Sequence, residues 1–537
     1  MIRHRLSARK GAVALLSGGV LLLAGLATMP ANAAPVQSGC DARTNNTYQK
    51  LLECVRLEGV REHQAALQAI ADANGGTRAE GTPGYTASVD YVLGVLAAAG
   101  WDAAKVPFNY QATDTLLQQL TPVNATYPTG GFTGTGEGDV TGNVIPVDIN
   151  LTGDRASTSG CEASDFAGID FSGANDIALI QRGGCNYSFK AINAEAAGAE
   201  AVIVFNQGDT VGAGDRFGLV IGTLGGQNVV DIPVVGATFE QGQALAAAGS
   251  TARVKVDFVT KTSYNVIGEL AGKTDGNVVM AGAHLDSVLE GPGINDNGSG
   301  SAALLEVAQV TSKLRPENTI RFAWWGAEEE GLLGSTAWVE DQSQEELDRI
   351  ALYLNFDMIG SPNYIFMVYD ANESSFEAPA GVTIPEGSEA IERVFESFYT
   401  LRGEPYDDSQ FSGRSDYQAF INNGIPSSGL FTGAEVRKTE EQEAIWGGTA
   451  GEQFDPCYHL ACDTYANNSD HALEVNSDAV AFAVLTFAYS TETVNGVVGK
   501  KVPGNFTIPA PAGPEHTFGG PLGGDSVHDH DHGNLPS

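Results

Sequence analysis

With 537 residues, the chain is longer than one typical domain, so two or three folded units are expected. Acidic residues outnumber basic ones 66 to 29, for a formal net charge of −37. Phosphate binding needs a basic surface, so a nucleic-acid partner is excluded, and self-repulsion on this scale suits a dispersed, monomeric protein.

The first 34 residues have the form of a signal peptide. Arg3, Arg5, Arg9 and Lys10 make a basic start, Ala12 to Leu26 is apolar, and Ala31-Asn32-Ala33 supplies an A-x-A cleavage site. The apolar stretch is too short and too interrupted for a permanent anchor, and no later segment reaches membrane-spanning length, so the mature chain is expected outside the cell with no membrane partner. The cysteines fall in three local pairs, Cys40/Cys54, Cys161/Cys185 and Cys457/Cys462. With no Cys-x-x-Cys spacing and an oxidising destination, three disulfides are expected.

Helical patterns cover Tyr48–Ile70 and Ala87–Ala99, joined by the turn-rich NGGTRAEGTPGY and followed by a strand at Ala104–Tyr110. These belong to a first unit, 41–126. Over 127–260 glycine becomes frequent and the strands short: NVIPVDI, DIALIQRG, AVIVFNQ and DIPVVGAT, with one helix at Ser188–Ala197. This reads as a small β-rich module inserted into a larger domain, and it contains no histidine to hold a metal of its own.

Strand and helix patterns alternate over 261–494, which implies one mixed, mostly parallel sheet with helices on both faces. The pattern places strands at Tyr264–Leu270, Val278–Leu285, Thr319–Gly326, Leu352–Ile359 and Ile365–Tyr369. Helices fall at Ser301–Leu314, Gly331–Val339, Ile391–Leu401 and Asp478–Ser490. From Asn495 to Ser537 glycine and proline dominate, and a disordered tail is expected. Its HDHDH run, like His516, has no strand to hold it, so no catalytic metal site is expected there. His63 and His471 read as ordinary surface or capping residues.

The chemistry gathers where buried strands end. His284 closes the run VVMAGAH, and Asp296 follows in a Gly-rich loop between Gly291 and Gly300. Taken alone, a structural His and a capping Asp would account for that pair. Glu328-Glu329-Glu330 closes IRFAWWGA, Asp357 closes LYLNF, and His459 lies in a loop that Cys457 and Cys462 can pin. Two imidazoles and three carboxylates suit zinc, and five donors suit two ions roughly 3.5–4 Å apart sharing one carboxylate. A spare glutamate next to a ligating one can take a proton from an activated water. Asp286, two residues past His284 on an extended chain, is placed to orient the imidazole.

The motifs AGAHLDSV, GINDNGSGSA, FAWWGAEEEGLLGS, LNFDMIGSPN, GRSDYQAFINNGIPSSGLFTGAE and DPCYHLACDT resemble the secreted di-zinc aminopeptidases of the bacterial leucine-aminopeptidase type. The segment around QRGGC and Phe189-Lys190 resembles the protease-associated domain that accompanies such enzymes. The resemblance implies a three-layer α/β/α zinc-exopeptidase domain with a protease-associated insert, acting on peptide N-termini. It assigns His284 and Asp357 to one zinc, Glu329 and His459 to the other, and Asp296 to the bridge. It also makes Glu328 the general base, Tyr458 a donor to the tetrahedral intermediate and Arg414 a substrate-positioning residue. Glu330 receives no role. Glu474 and Asp478, at i, i+4, would help bind Ca2+ as in some relatives, or form an exposed acidic pair. Other readings are a carboxypeptidase, deacylase or glutaminyl cyclase on the same scaffold, or a receptor-like protein with a decayed site. Against the last stands the complete set of ligand positions.

Overall fold

A computed structural model describes residues 39–40, 42–208, 216–224, 228–379 and 382–518. The expected signal peptide and His528, His530 and His532 lie outside the described residues. In chain order the strands are β1 (Asp102–Thr121), β2 (Ala125–Tyr127), β3 (Gly138–Val147), β4 (Ile177–Gln181), β5 (Ala201–Phe205), β6 (Val234–Ala237), β7 (Thr251–Leu270), β8 (Thr274–His284), β9 (Asn318–Trp325), β10 (Ile350–Phe356), β11 (Met367–Tyr369), β12 (Asp407–Ser409) and β13 (Ser427–Phe431).

The central sheet runs β12-β11-β13-β10-β8-β9-β7. Its middle, β13-β10-β8-β9, is parallel, while β7 joins β9 antiparallel. Strands β9 and β10 are buried along their whole length, as their unbroken apolar runs require when helices cover both faces. The alternation of side chains sends Trp324 to one layer and Trp325 to the other. On the Trp324 side lie the helices Gly298–Thr311, Ser388–Arg402 and Asp470–Tyr489, and on the Trp325 side Leu333–Glu340 and Tyr417–Asn422.

The N-terminal helical pattern is split. Helix Tyr48–Leu52 ends beside Cys54, Arg56 is extended, and Leu57–Ala73 starts afresh. The Cys40–Cys54 disulfide sits at the break. Cys161–Cys185 and Cys457–Cys462 are bonded as well, so all three local pairs form.

The four short strands expected in the insert pair in parallel as β3-β4-β5-β6. Helix Tyr187–Ala197 covers one face of this small sheet, and Phe239–Leu245, capped by Thr238 and Gln241, covers the other. Neither the second helix nor the full length of β1 is apparent in the sequence. β1 and β7 pair antiparallel from Asp102↔Glu269 to Gln119↔Ala252, one ribbon reaching from the central sheet into the insert.

The expected disordered tail needs correction over its first half. Beyond the last short helix, Glu492–Asn495, the chain is irregular but laid against the main domain. Phe506 contacts the Tyr48 ring at 5.0 Å, and Val502 and Phe518 pack on the large core. Buried partners, rather than its own secondary structure, hold this segment, and composition alone does not report such partners.

Candidate di-metal active site

Each donor is delivered by the carboxyl end of a parallel strand or by a loop tied to one, the usual location of sites in open α/β sheets. His284 ends β8, Glu328 and Glu329 follow β9 by a tight turn, and Asp357 follows β10. Ala327, Met358 and His459 take left-handed backbone conformations with φ of 55°, 49° and 57°. Such conformations cost about 1–3 kcal/mol each and cluster at functional sites.

The loop carrying Asp296 is pulled close to β10 because Gly300 has no side chain, since a Cβ there would lie 2.2 Å from the Phe356 carbonyl oxygen. The same loop is clamped from the far end of the chain. Asp463 accepts from the Asn295 and Asp296 amides at 2.9 and 3.0 Å, and Asp455 accepts from the Asn295 side chain at 2.7 Å. Both aspartates flank the Cys457–Cys462 ring that carries His459.

The result is one compact cluster. His284 Nε2 lies 3.1 Å from Asp296 Oδ1 and 3.3 Å from Asp357 Oδ1. His459 Nε2 lies 3.2 Å from Asp296 Oδ2 and 3.1 Å from Glu329 Oε2. Asp296 thus offers one oxygen to each histidine group, and Glu328 Oε2 stands 3.9 Å from His284 Nε2. Asp357 Oδ1 and Glu329 Oε1 are buried with no hydrogen-bond partner, while Ser415 Oγ donates to the other Asp357 oxygen at 2.6 Å. An orphan Asp357 oxygen facing His284, a Glu329 carboxylate that gives one oxygen to His459 and leaves the other without a partner, and the shared Asp296 together fit two zinc ions.

Electrostatics agree with a site built for cations. Burial pushes Glu328 well above the usual carboxylate range, with neighbouring Asp357, Asp416 and Glu329 adding to it against the pull of His284. Burial also raises Glu329 to about 7 although His459 opposes it. Burial works to raise Asp296 too, but hydrogen bonds with both histidines outweigh it and hold the group below its ordinary value. Asp416, fully buried nearby, is raised by burial to about 7.

Every catalytic and metal residue expected from the sequence lines one cavity of about 180 Å³: His284, Asp296, Glu328, Glu329, Asp357, Arg414, Tyr458 and His459. Arg414 donates to Glu435 at 2.7 Å and to the Tyr458 hydroxyl at 3.3 Å. Asp286 stands beside the imidazole as expected, its carboxylate Oδ1 3.7 Å from His284 Nδ1, and it makes further contacts. Its carbonyl oxygen lies 3.2 Å from His284 Nδ1, while its carboxylate accepts the Glu328 and Glu329 amides, both at 3.2 Å.

Arg78 is a residue that sequence reasoning misses. It is fully buried, it donates to the carbonyls of Leu285, Pro292 and Gly293, and burial lowers it only to about 10, so it stays a cation. His63 is no surface residue. It is buried between Tyr91, at 2.7 Å, and Gln309, at 3.2 Å, and burial lowers it to about 4. Asp478 pairs with Arg402 at 2.9 Å, and Glu474 joins none of the metal-capable clusters among the described residues.

The fold and donor cluster define a metallohydrolase. Residues 265–484 match the model of Peptidase family M28, and 140–245 match the PA domain. Over 456 residues the chain is 48% identical to an aminopeptidase of Pseudomonas aeruginosa, covering 83% of each. It is 42% identical to leucine aminopeptidase 2 of Trichophyton rubrum over 341 residues, 62% of this chain and 66% of that one. Among solved structures, BSAP, a zinc aminopeptidase from Bacillus subtilis, superposes with a TM-score of 0.63 at 27% identity, covering 80% of this chain and 94% of that one. The chain belongs to Peptidase family M28 and is a metallo-aminopeptidase with a PA insert, acting on peptide termini. No helix among the described residues is long and apolar enough to cross a membrane.

Proposed function

We propose that the protein is an exported, monomeric di-zinc aminopeptidase that removes a large apolar N-terminal residue, leucine foremost, from peptides and proteins. The observation that carries this reading is the cavity itself. The donor cluster forms its floor, and Met367, Phe376, Phe431, Phe454 and Phe518 are among its apolar walls. The name of the Trichophyton relative points to the same side chain. Export is supported by the basic, apolar, A-x-A sequence of the first 34 residues and by the three disulfides.

In this reading His284 and Asp357 would hold one zinc ion and Glu329 and His459 the other, with Asp296 available to both. The pair, when bound, supplies Lewis acidity that polarises the scissile carbonyl and makes water a nucleophile near neutral pH. Glu328 takes the proton from the attacking water and returns it to the leaving amine. Tyr458, whose hydroxyl burial pushes well above its ordinary range, stays protonated and donates to the developing oxyanion. Arg414 fixes the Tyr458 hydroxyl from one side while Glu435 fixes Arg414. The acidic groups of the cluster meet the free N-terminal amine, which ties cleavage to the chain end.

The test is hydrolysis of leucine p-nitroanilide by the purified protein, against the N-acetylated substrate and with a chelator. Release from the free amine alone, lost with the chelator and restored by zinc, is the expected result. Equal cleavage of the acetylated substrate would refute the exopeptidase reading.

A further inference from the structure

The tail that composition marks as loose is tied down where it passes the active-site cavity. The Ala512 amide donates to Thr400 Oγ1 at 2.9 Å, and the Gly513 amide to the Tyr406 hydroxyl at 2.8 Å. The Glu515 amide reaches the Tyr406 carbonyl at 2.9 Å. Asp407, fully buried, then accepts the amides of His516 and Thr517 at 3.2 and 2.8 Å, and the Thr517 hydroxyl at 2.5 Å. Gln442 Nε2 donates to that hydroxyl at 2.9 Å.

This strap delivers Phe518 to the cavity wall, where its ring centroid lies 5.7 Å from that of Phe376. Phe376 is held from its own side, because Asp370 accepts its amide at 2.8 Å and those of Ser374 and Ser375 at 2.9 Å. Two buried aspartates, Asp370 just past the end of β11 and Asp407 at the start of the neighbouring strand β12, therefore position the two rings. With Phe518 seated, the cavity stays open down to His284 and Glu328. The ring forms a side of the pocket and does not plug it.

We propose that the strap 512–518 is a wall of the pocket for the substrate's N-terminal side chain, and that Phe518, seated on Phe376, selects for bulky apolar residues. This rests on the reading of the chain as an aminopeptidase for large apolar N-termini. A side chain that fills the pocket gains contact with both rings, and one that stops short, such as alanine, gains none.

The experiment compares alanine, leucine and phenylalanine p-nitroanilides on the zinc-loaded full-length protein. Phe518→Ala should raise KM for the leucine substrate about tenfold with kcat within about twofold, because the ring contributes equally before and at the transition state. The leucine-to-alanine ratio of kcat/KM should fall about fivefold to tenfold. Phe518→Leu should restore most of that ratio. Thr517→Val, which keeps the ring but loses the side-chain bond to Asp407, should shift it the same way by less. An unchanged ratio in Phe518→Ala, with wild type active and zinc content and Tm intact, overturns the inference. So does deletion of 515–537 raising kcat/KM for all three substrates by one common factor, which would make the strap an inhibitory cover. A zinc-loaded wild type that cleaves none of the anilides would instead refute the aminopeptidase reading, and the inference would fall with it.

Discussion

The catalytic domain and the insert each hold a cation with no exposed surface, Arg78 and Lys190, and the two do different work. In the insert, Lys190 is fully buried and donates to the carbonyls of Ser159, Gln181 and Gly183, at 2.6, 3.1 and 2.7 Å, stitching the turn around Cys185. In the catalytic domain, Arg78 makes the same kind of carbonyl contacts to the Asp296 loop, but it also feels Asp286, Asp463, Asp296 and Glu329. One cation fixes a turn. The other fixes a turn and offsets the negative charge of a metal cluster, at a point too deep for solvent to do so. The metal-capable groups found among the described residues all lie in the catalytic domain. Buried positive charge is therefore a scaffold device common to both, and chemistry begins only where carboxylates surround it.

The largest expected effect isolates the chemistry from the scaffold. Glu328→Ala should lower kcat about a thousandfold while metal analysis still finds two zinc ions per chain. Near-normal rates would remove Glu328 from its role. Asp296→Ala should lose both rate and metal, since it faces both histidines. Next comes Arg78→Met, which leaves the carboxylate cluster without its buried counter-charge. It should cost about 3–5 kcal/mol of stability and weaken zinc binding about tenfold to a hundredfold, read by denaturation and chelator competition. If zinc affinity stays put, Arg78 is only a stitch like Lys190, and the contrast between the two halves collapses.

A pH series sharpens the same point. In the metal-free cluster burial holds Glu329 at about 7, and ligation requires its unprotonated form. Above that pH Glu329 itself holds no competing proton. Below it, zinc affinity should fall by up to about tenfold per pH unit from this group alone, so chelator-driven loss of zinc should speed up between pH 8 and 6. Zinc retention that is flat over this range would refute the prediction. The smallest effect is expected at Lys190→Met: a loss of about 2 kcal/mol confined to the insert's unfolding, with leucine anilide kinetics within about twofold of wild type.

The site was largely readable in the sequence because its donors interrupt apolar strands at their ends, where a charged residue has few structural reasons to be. His284, Glu328, Glu329 and Asp357 carry that mark, Tyr458 and His459 sit in a disulfide ring, Asp296 stands out only through the motif around it in the Gly-rich loop, and the structure draws all seven into one cavity. What supports them was not readable. Arg78 lies in a glycine- and threonine-rich connector that looks like a surface turn, and its carbonyl partners are more than two hundred positions away. Asp463 and Asp455 look like loop acids until the Asp296 loop folds onto them. The tail failed for the same reason. Proline and glycine describe its backbone, while Asp407, Gln442 and Phe376 decide where it lies.

The β1–β7 ribbon has a consequence for how such a chain can be assembled. The polypeptide leaves the catalytic domain and returns to it on adjacent, hydrogen-bonded positions, with Gln111 directly opposite Thr260. At that crossing the two ends of the insert are already neighbours. Excising everything between them and closing the gap with a two-residue turn would leave an ordinary hairpin, a junction that costs the catalytic sheet none of its pairings. The insert is thus a detachable cassette, and genetic gain or loss of such a module requires no redesign of the enzyme beneath it.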